Sequence, residues 1–144
     1  MSLEDGTTDV AAPRVAADGA APRVAAPRVA IVDADRRIRQ SLADLLRLGG
    51  LDVVGTAGDV REALDLNQRL NPSVVIVDPR LPDIEAGAAL LSSLHLARPN
   101  LRVIVMGWGA NAEYPLAADG VCAFVAKGSA PEEFIAATVA ACGH

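Results

Sequence analysis

Three apolar runs of this 144-residue chain end in ionisable side chains. RVAIVD (28–33) ends at Asp33, with Asp35 two residues on. SVVIVD (73–78) ends at Asp78, and VCAFVAK (121–127) ends at Lys127. Lys127 is the sole lysine; every other basic residue is arginine. If these ends meet, the carboxylates form an oxygen-rich pocket suited to Mg²⁺. Lys127 adds a compact ammonium able to meet a phosphoryl oxygen. An aspartate in such company can accept a phosphoryl group, because metal and ammonium neutralise the charge on the transferred group. Either aspartate alone reads more simply as a strand end capping a loop. Two acids and the sole lysine at three such ends favour a site.

The elements that must position them follow from the hydropathy pattern. Strand-like runs occupy 28–33, 51–57, 73–78, 101–106 and 121–127. Helical patterns follow at 36–48, 59–70, 87–97 and 131–142. The first stripe holds Ile38, Leu42, Leu45 and Leu46, and Gly49-Gly50 stop it. Asp59 is an N-cap candidate, and Ala63, Leu66 and Leu70 line the second stripe. Leu90, Leu91 and Leu94 line the third. Pro131 opens the last helix, with Phe134, Ile135, Thr138 and Val139 expected inward. Residues 107–120 hold three glycines and Pro115, so any helix there is short. Near-continuous apolar strands alternating with helices predict an α/β, doubly wound parallel sheet of five strands, covered on both faces. Ligands of such sheets sit beyond the carboxyl ends of the strands, where Asp33, Asp78 and Lys127 fall.

Composition narrows the function. The net charge is −5, against a non-specific nucleic-acid binder. Aromatics make up 3%, too few for a base-stacking surface. No apolar run approaches a membrane span, and MSLEDG is unlike a secretory signal, so the expected location is cytoplasmic. Cys122 and Cys142 have no metal-site spacing, and Cys122 reads as a small buried hydrophobe. Residues 1–26 repeat APRVAA and PRVA and sustain no period, so they read as a disordered or loosely ordered Ala/Pro arm; 27–144 form the folded domain.

Over 28–142, the stretches AIVDADRRIRQSL, VVGTAGDVREAL, NPSVVIVDPRLPD, RVIVM and FVAKGSAPEEFIAA resemble the receiver domain of two-component response regulators. VVGTAGDVREAL and AKGSAPEEFIAA are most like receivers that precede a LuxR-type helix-turn-helix. The resemblance implies a flavodoxin-like sheet of order 2-1-3-4-5 and a signalling role rather than metabolic turnover. It makes Asp78 the phosphoacceptor and Lys127 the phosphoryl-contacting lysine. Asp33, Asp78 and the Arg80 backbone carbonyl would hold Mg²⁺, with Asp35 a weaker ligand candidate. Pro82 matches the proline of the following turn. Gly107 and Phe124 stand at the switch positions. A sensor histidine kinase or another signalling protein is the implied partner, and a homodimer is an open alternative. No direct nucleic-acid or membrane binding by this chain is implied.

The departures matter as much. Ala34 stands where a second acid belongs, and Gly107 where a Ser or Thr hydroxyl belongs. Trp108 replaces a small residue. Ala86 takes the usual glycine place, with Gly87 beside it. The stretch from Gly107 to Lys127 is about two residues short. Two versions of the receiver reading stay open: a poor phosphoacceptor, or a pseudo-receiver acting without phosphate. A small flavodoxin-like enzyme or cofactor carrier is the alternative from another class, but no Gly-rich phosphate loop appears. His95 reads as a part-buried or solvent-facing helix residue. Arg36, Arg37 and Arg39 read as a solvated helix face or a partner surface.

Residues 1–26 lack the apolar pattern that would offset ordering, roughly 1–2 kcal/mol per residue for backbone. Deleting them is expected to leave the Tm nearly unchanged in calorimetry. A large drop would show that the arm packs, for instance as an added edge strand.

Overall fold

The computed structural model describes residues 27–108 and 120–142. The arm at 1–26 and most of the weak segment, including Tyr114 and Pro115, lie outside the described residues. The strands are β1 (Arg28–Val32), β2 (Asp52–Ala57), β3 (Val74–Val77), β4 (Arg102–Gly107) and β5 (Val121–Ala126). The helices are α1 (Arg36–Leu48), α2 (Val60–Leu70), α3 (Ile84–Ala97) and α4 (Pro131–Cys142). All strand pairs are parallel, in the order β2-β1-β3-β4-β5, as the resemblance implied.

Side chains alternate across the sheet. Val29 and Ile31 of β1 face α1 and α4, with Leu42, Leu46 and Phe134. Ala30 and Val32 face α2 and α3, with Leu66, Leu90 and Leu94. All four residues of β3 are buried, because this strand has neighbours on both sides and helices on both faces. That is why its sequence shows no polar alternation.

Three aspartates start helices. Asp35 Oδ1 accepts from the Arg37 and Ile38 N–H groups, and Asp59 Oδ1 from the Glu62 N–H. Glu62 reaches back to accept from the Gly58 N–H. Asp83 Oδ1 accepts from the Ala86 N–H and starts α3 at Ile84, not at 87. Gly87 is therefore not a helix boundary. A Cβ on Gly87 would stand 1.6 Å from the Pro79 carbonyl oxygen, so the place that needs glycine after β3 is 87 rather than 86. The Leu81–Pro82 peptide in this turn is cis. At the end of α1, Gly50 takes a φ of 93°, which glycine adopts without strain.

Some inward expectations fail. Val139 is 52% exposed; α4 instead buries Phe134, Thr138 and Ala141. The Thr138 hydroxyl donates to the Phe134 carbonyl, which satisfies it inside the helix. Leu45 on α1 is also left partly exposed, at 39%. Cys122 is exposed rather than buried. Val103 pairs with Val121 and Ile104 with Ala123, so Cys122 is the extra residue of a bulge on the edge strand. His95 is part-buried, as one of its two expected readings had it.

Gly87→Ala is expected to destabilise the fold by about 3 kcal/mol or more, since backbone rather than a flexible side chain blocks the new methyl. Ala86→Gly should cost only about 1 kcal/mol of helix propensity. Urea denaturation of the two variants checks the order; a mild Gly87→Ala would show that the turn can shift.

Candidate functional site

Adjacent strands deliver the acids side by side. Val32 pairs with Val77, so Asp33 and Asp78 are the next residues along two neighbouring strands. Both are buried. The Asp33 N–H donates to the Ala57 carbonyl and the Asp78 N–H to the Val32 carbonyl, which extends the ladder into the site. Gly107 pairs with Ala126, and the Lys127 N–H donates to the Gly107 carbonyl.

The Lys127 side chain is 5% exposed and joins the two acids. Its Nζ lies 2.5 Å from Asp78 Oδ2 and 2.7 Å from Asp33 Oδ2. The other oxygens hold the loops behind them. Asp33 Oδ1 accepts from the Asp35 N–H at 2.8 Å, and Asp78 Oδ1 from the Arg80 N–H at 3.0 Å. Two carboxylates against one ammonium leave one formal negative charge in a buried place. Burial works against the charge on Lys127, but its close contacts with the Asp33 and Asp78 carboxylates and their negative charges outweigh it. The lysine pKa is therefore held above its ordinary 10.5.

The donor set bears on Mg²⁺. Asp33 Oδ2 is buried and, although paired with Lys127 by charge, has no hydrogen bond of good geometry. That oxygen and the uncompensated charge suit a cation. Among the described residues no three His, Cys, Asp or Glu side chains group as metal ligands. The set is thus lean but compatible with Mg²⁺, which is commonly held by one or two carboxylates and keeps several waters. Asp35, the weaker ligand candidate, is exposed, and its carboxylate caps α1. Ala34 beside it is exposed and offers no oxygen from its side chain.

The remaining edge residues frame this centre. Trp108 is 69% exposed, and its ring centroid lies 5.7 Å from Lys127 Nζ. A Cβ on Gly107 would stand 3.6 Å from the Phe124 ring, an ordinary contact, so that place has room for a side chain. Phe124 is partly buried against the core under α2 and α3. Arg39 departs from the solvated-face reading. Its Nη1 donates to the Asp33 carbonyl at 3.0 Å and the Ala34 carbonyl at 3.4 Å, which clamps the loop behind Asp33. Only a spacing of six residues hinted at this clamp.

The family model for the response regulator receiver domain matches residues 29–139. The chain belongs to this family. The receiver is 41% identical over 70 residues to the transcriptional regulatory protein PdtaR of Mycobacterium tuberculosis, covering 49% of this chain and 32% of PdtaR. The chain thus spans about a third of that relative's length. Among solved structures it resembles the signal receiver domain of NarL from Mycobacterium tuberculosis, with a TM-score of 0.72 and 26% identity over 82% of this chain and 97% of that one. A LuxR-family regulator from Aurantimonas sp. gives 0.72 and 25% over 83% and 86%. No helix among the described residues is long and apolar enough to cross a membrane.

Lys127→Met would leave two buried carboxylates facing each other and is expected to cost the receiver about 3 kcal/mol near neutral pH. A raised lysine pKa means stability fully present below about 10.5, the unfolded value, and lost as pH rises through the folded value. The gap between wild type and variant should therefore narrow above pH 10.5. Denaturation midpoints across that range check it; a constant gap would mean that the charge of Lys127 contributes nothing.

Proposed function

We propose that this receiver is an atypical one, a weak phosphoacceptor at Asp78 that signals through protein contacts. The observation that carries this reading is the buried Asp33–Lys127–Asp78 bridge, set beside two missing groups. Ala34 supplies no second acid and Gly107 no hydroxyl.

In the proposed reaction an Asp78 carboxylate oxygen forms a bond to the phosphorus of a phosphohistidine or acyl phosphate. The bond from phosphorus to the donor breaks, and the donor leaves with the electron pair. Asp78 then carries an acyl phosphate, and water later cleaves it. Lys127, already on Asp78 Oδ2, neutralises charge on the phosphoryl oxygens. Asp33, Asp78 and the Arg80 carbonyl would hold Mg²⁺, which supplies further charge neutralisation when bound. The Arg80 N–H orients the Asp78 carboxylate from behind. A hydroxyl at 107 would donate to a charged phosphoryl oxygen, a bond worth about 1.5–3 kcal/mol, and here that bond is missing. Its loss also removes the link by which phosphorylation would pull on Phe124. The partner is a sensor histidine kinase or another signalling protein, and self-association is a further option. A pseudo-receiver read without phosphate is the second reading. Ala34 and Gly107 favour it, because they supply neither a second acid for a cation nor a hydroxyl for a phosphoryl oxygen.

The test is acetyl phosphate with Mg²⁺, followed by intact mass and by Trp108 emission. Partial phosphorylation is expected, absent in Asp78→Asn and reduced in Lys127→Arg, whose planar guanidinium replaces a compact ammonium poorly. Gly107→Thr has room beside Phe124 and should raise the phosphorylation rate about tenfold or more. No phosphorylation in wild type or in Gly107→Thr would favour the pseudo-receiver. Near-complete phosphorylation of the wild type would restore a standard switch.

A further inference from the structure

A second concave feature lies on the other face of the sheet edge, between α1 and the start of α4. It is a cleft of about 350 Å³. Leu42, Leu45, Met106 and Phe134 form its apolar walls. Leu45 belongs to the apolar stripe of α1 yet stays 39% exposed, and it lines the cleft. Arg37, Ser41 and Ser129 are among its lining residues, and so is Lys127 of the acidic site. Among the described residues, no Asp or Glu lines it.

Volume, walls and charge together select a ligand. A cleft of this size takes a small molecule, and mostly apolar walls with a few polar groups are the usual form of such a site. The ammonium of Lys127 is held by Asp33 and Asp78, so the exposed Arg37 is the cation available to a ligand. An arginine and two serines lining one cleft offer donors that match a carboxylate or sulfonate head. We propose that this cleft binds a small amphipathic anion, with its head at Arg37, Ser41 and Ser129 and its apolar body against Leu42, Leu45, Met106 and Phe134. The proposal stands whether or not Asp78 accepts a phosphoryl group. Because Lys127 borders both places, an occupant of the cleft also touches the residue that bridges the acidic pair.

Anilinonaphthalene sulfonate is the first probe, an apolar body with an anionic head that brightens when bound. The full chain should give a saturable, one-to-one rise, reversed by decanoate and about tenfold less well by decanol. Ser41→Trp, which fills the cleft from its exposed rim, should abolish the rise. Arg37→Glu should weaken binding about tenfold or more. Both variants are at exposed positions of α1, and circular dichroism checks their fold. Independently, decanoate added to the wild-type chain should shift the methyl resonances of Leu45 and Met106. Unshifted methyls, or full binding by a folded Ser41→Trp, would overturn the proposal. Equal displacement by decanol and decanoate would overturn the anionic head. A cleft that leaves the probe dark and closes only around a partner protein's side chain would also overturn it.

Discussion

One ammonium bridging two buried carboxylates sets the terms for the carboxyl edge of this sheet. Neighbouring strands lie roughly 4.8 Å apart, and β4 separates β5 from β3. The backbones of β5 and β3 are therefore about 10 Å apart, and the Lys127 and Asp78 side chains meet across the end of β4. A long, unbranched side chain with a compact terminal charge suits this bridge. Without the bridge, two adjacent carboxylates would sit buried with nothing to offset their repulsion. With it, the edge is left with a single negative charge, enough to favour a cation yet tolerable inside the fold.

The loops around this bridge are fixed by the same few atoms. Each acid gives one oxygen to Lys127 and the other to a backbone N–H two residues later. Asp35, positioned by Asp33, caps α1, and Arg39 one turn on returns to clamp the Asp33 and Ala34 carbonyls. On the other loop, Gly87 lets α3 approach Pro79, one residue beyond Asp78. Site and fold are thus not separable at these positions. A change in the loop after β1 or β3 alters the aim of a carboxylate as well as the start of a helix.

Much of this was legible in the sequence, for physical reasons. Buried parallel strands write themselves as continuous apolar runs, so all five appeared within a residue or so of their bounds, and their ends pointed to Asp33, Asp78 and Lys127. The family resemblance supplied the strand order, which hydropathy cannot encode. What stayed hidden depended on distance rather than type. The third helix was expected to begin at Gly87 because a glycine required by a neighbouring carbonyl reads the same as one at a helix boundary. Cys122 looked buried because a bulge on an edge strand leaves no mark in composition. Val139 and Leu45 fit an apolar stripe on paper but lie at its margin, where the neighbouring element fails to cover them. The arm at 1–26 lies outside the described residues.

The two absent groups differ from these misread positions in one respect. Ala34 is exposed, and a side chain at Gly107 would make only ordinary contact with Phe124. The fold forbids neither an acid at the first place nor a hydroxyl at the second, so packing does not account for their loss. A group whose removal leaves the core untouched acts chiefly on whatever occupies the site. For an acid at 34 that is a cation, and for a hydroxyl at 107 a phosphoryl oxygen. The sheet, the caps and the lysine bridge are intact, whereas the two contacts that would sense an occupied site are missing. That combination separates the stability of this receiver from its response. Asp33, Asp78 and Lys127 are then the side chains left to meet a cation or a phosphoryl group at this edge.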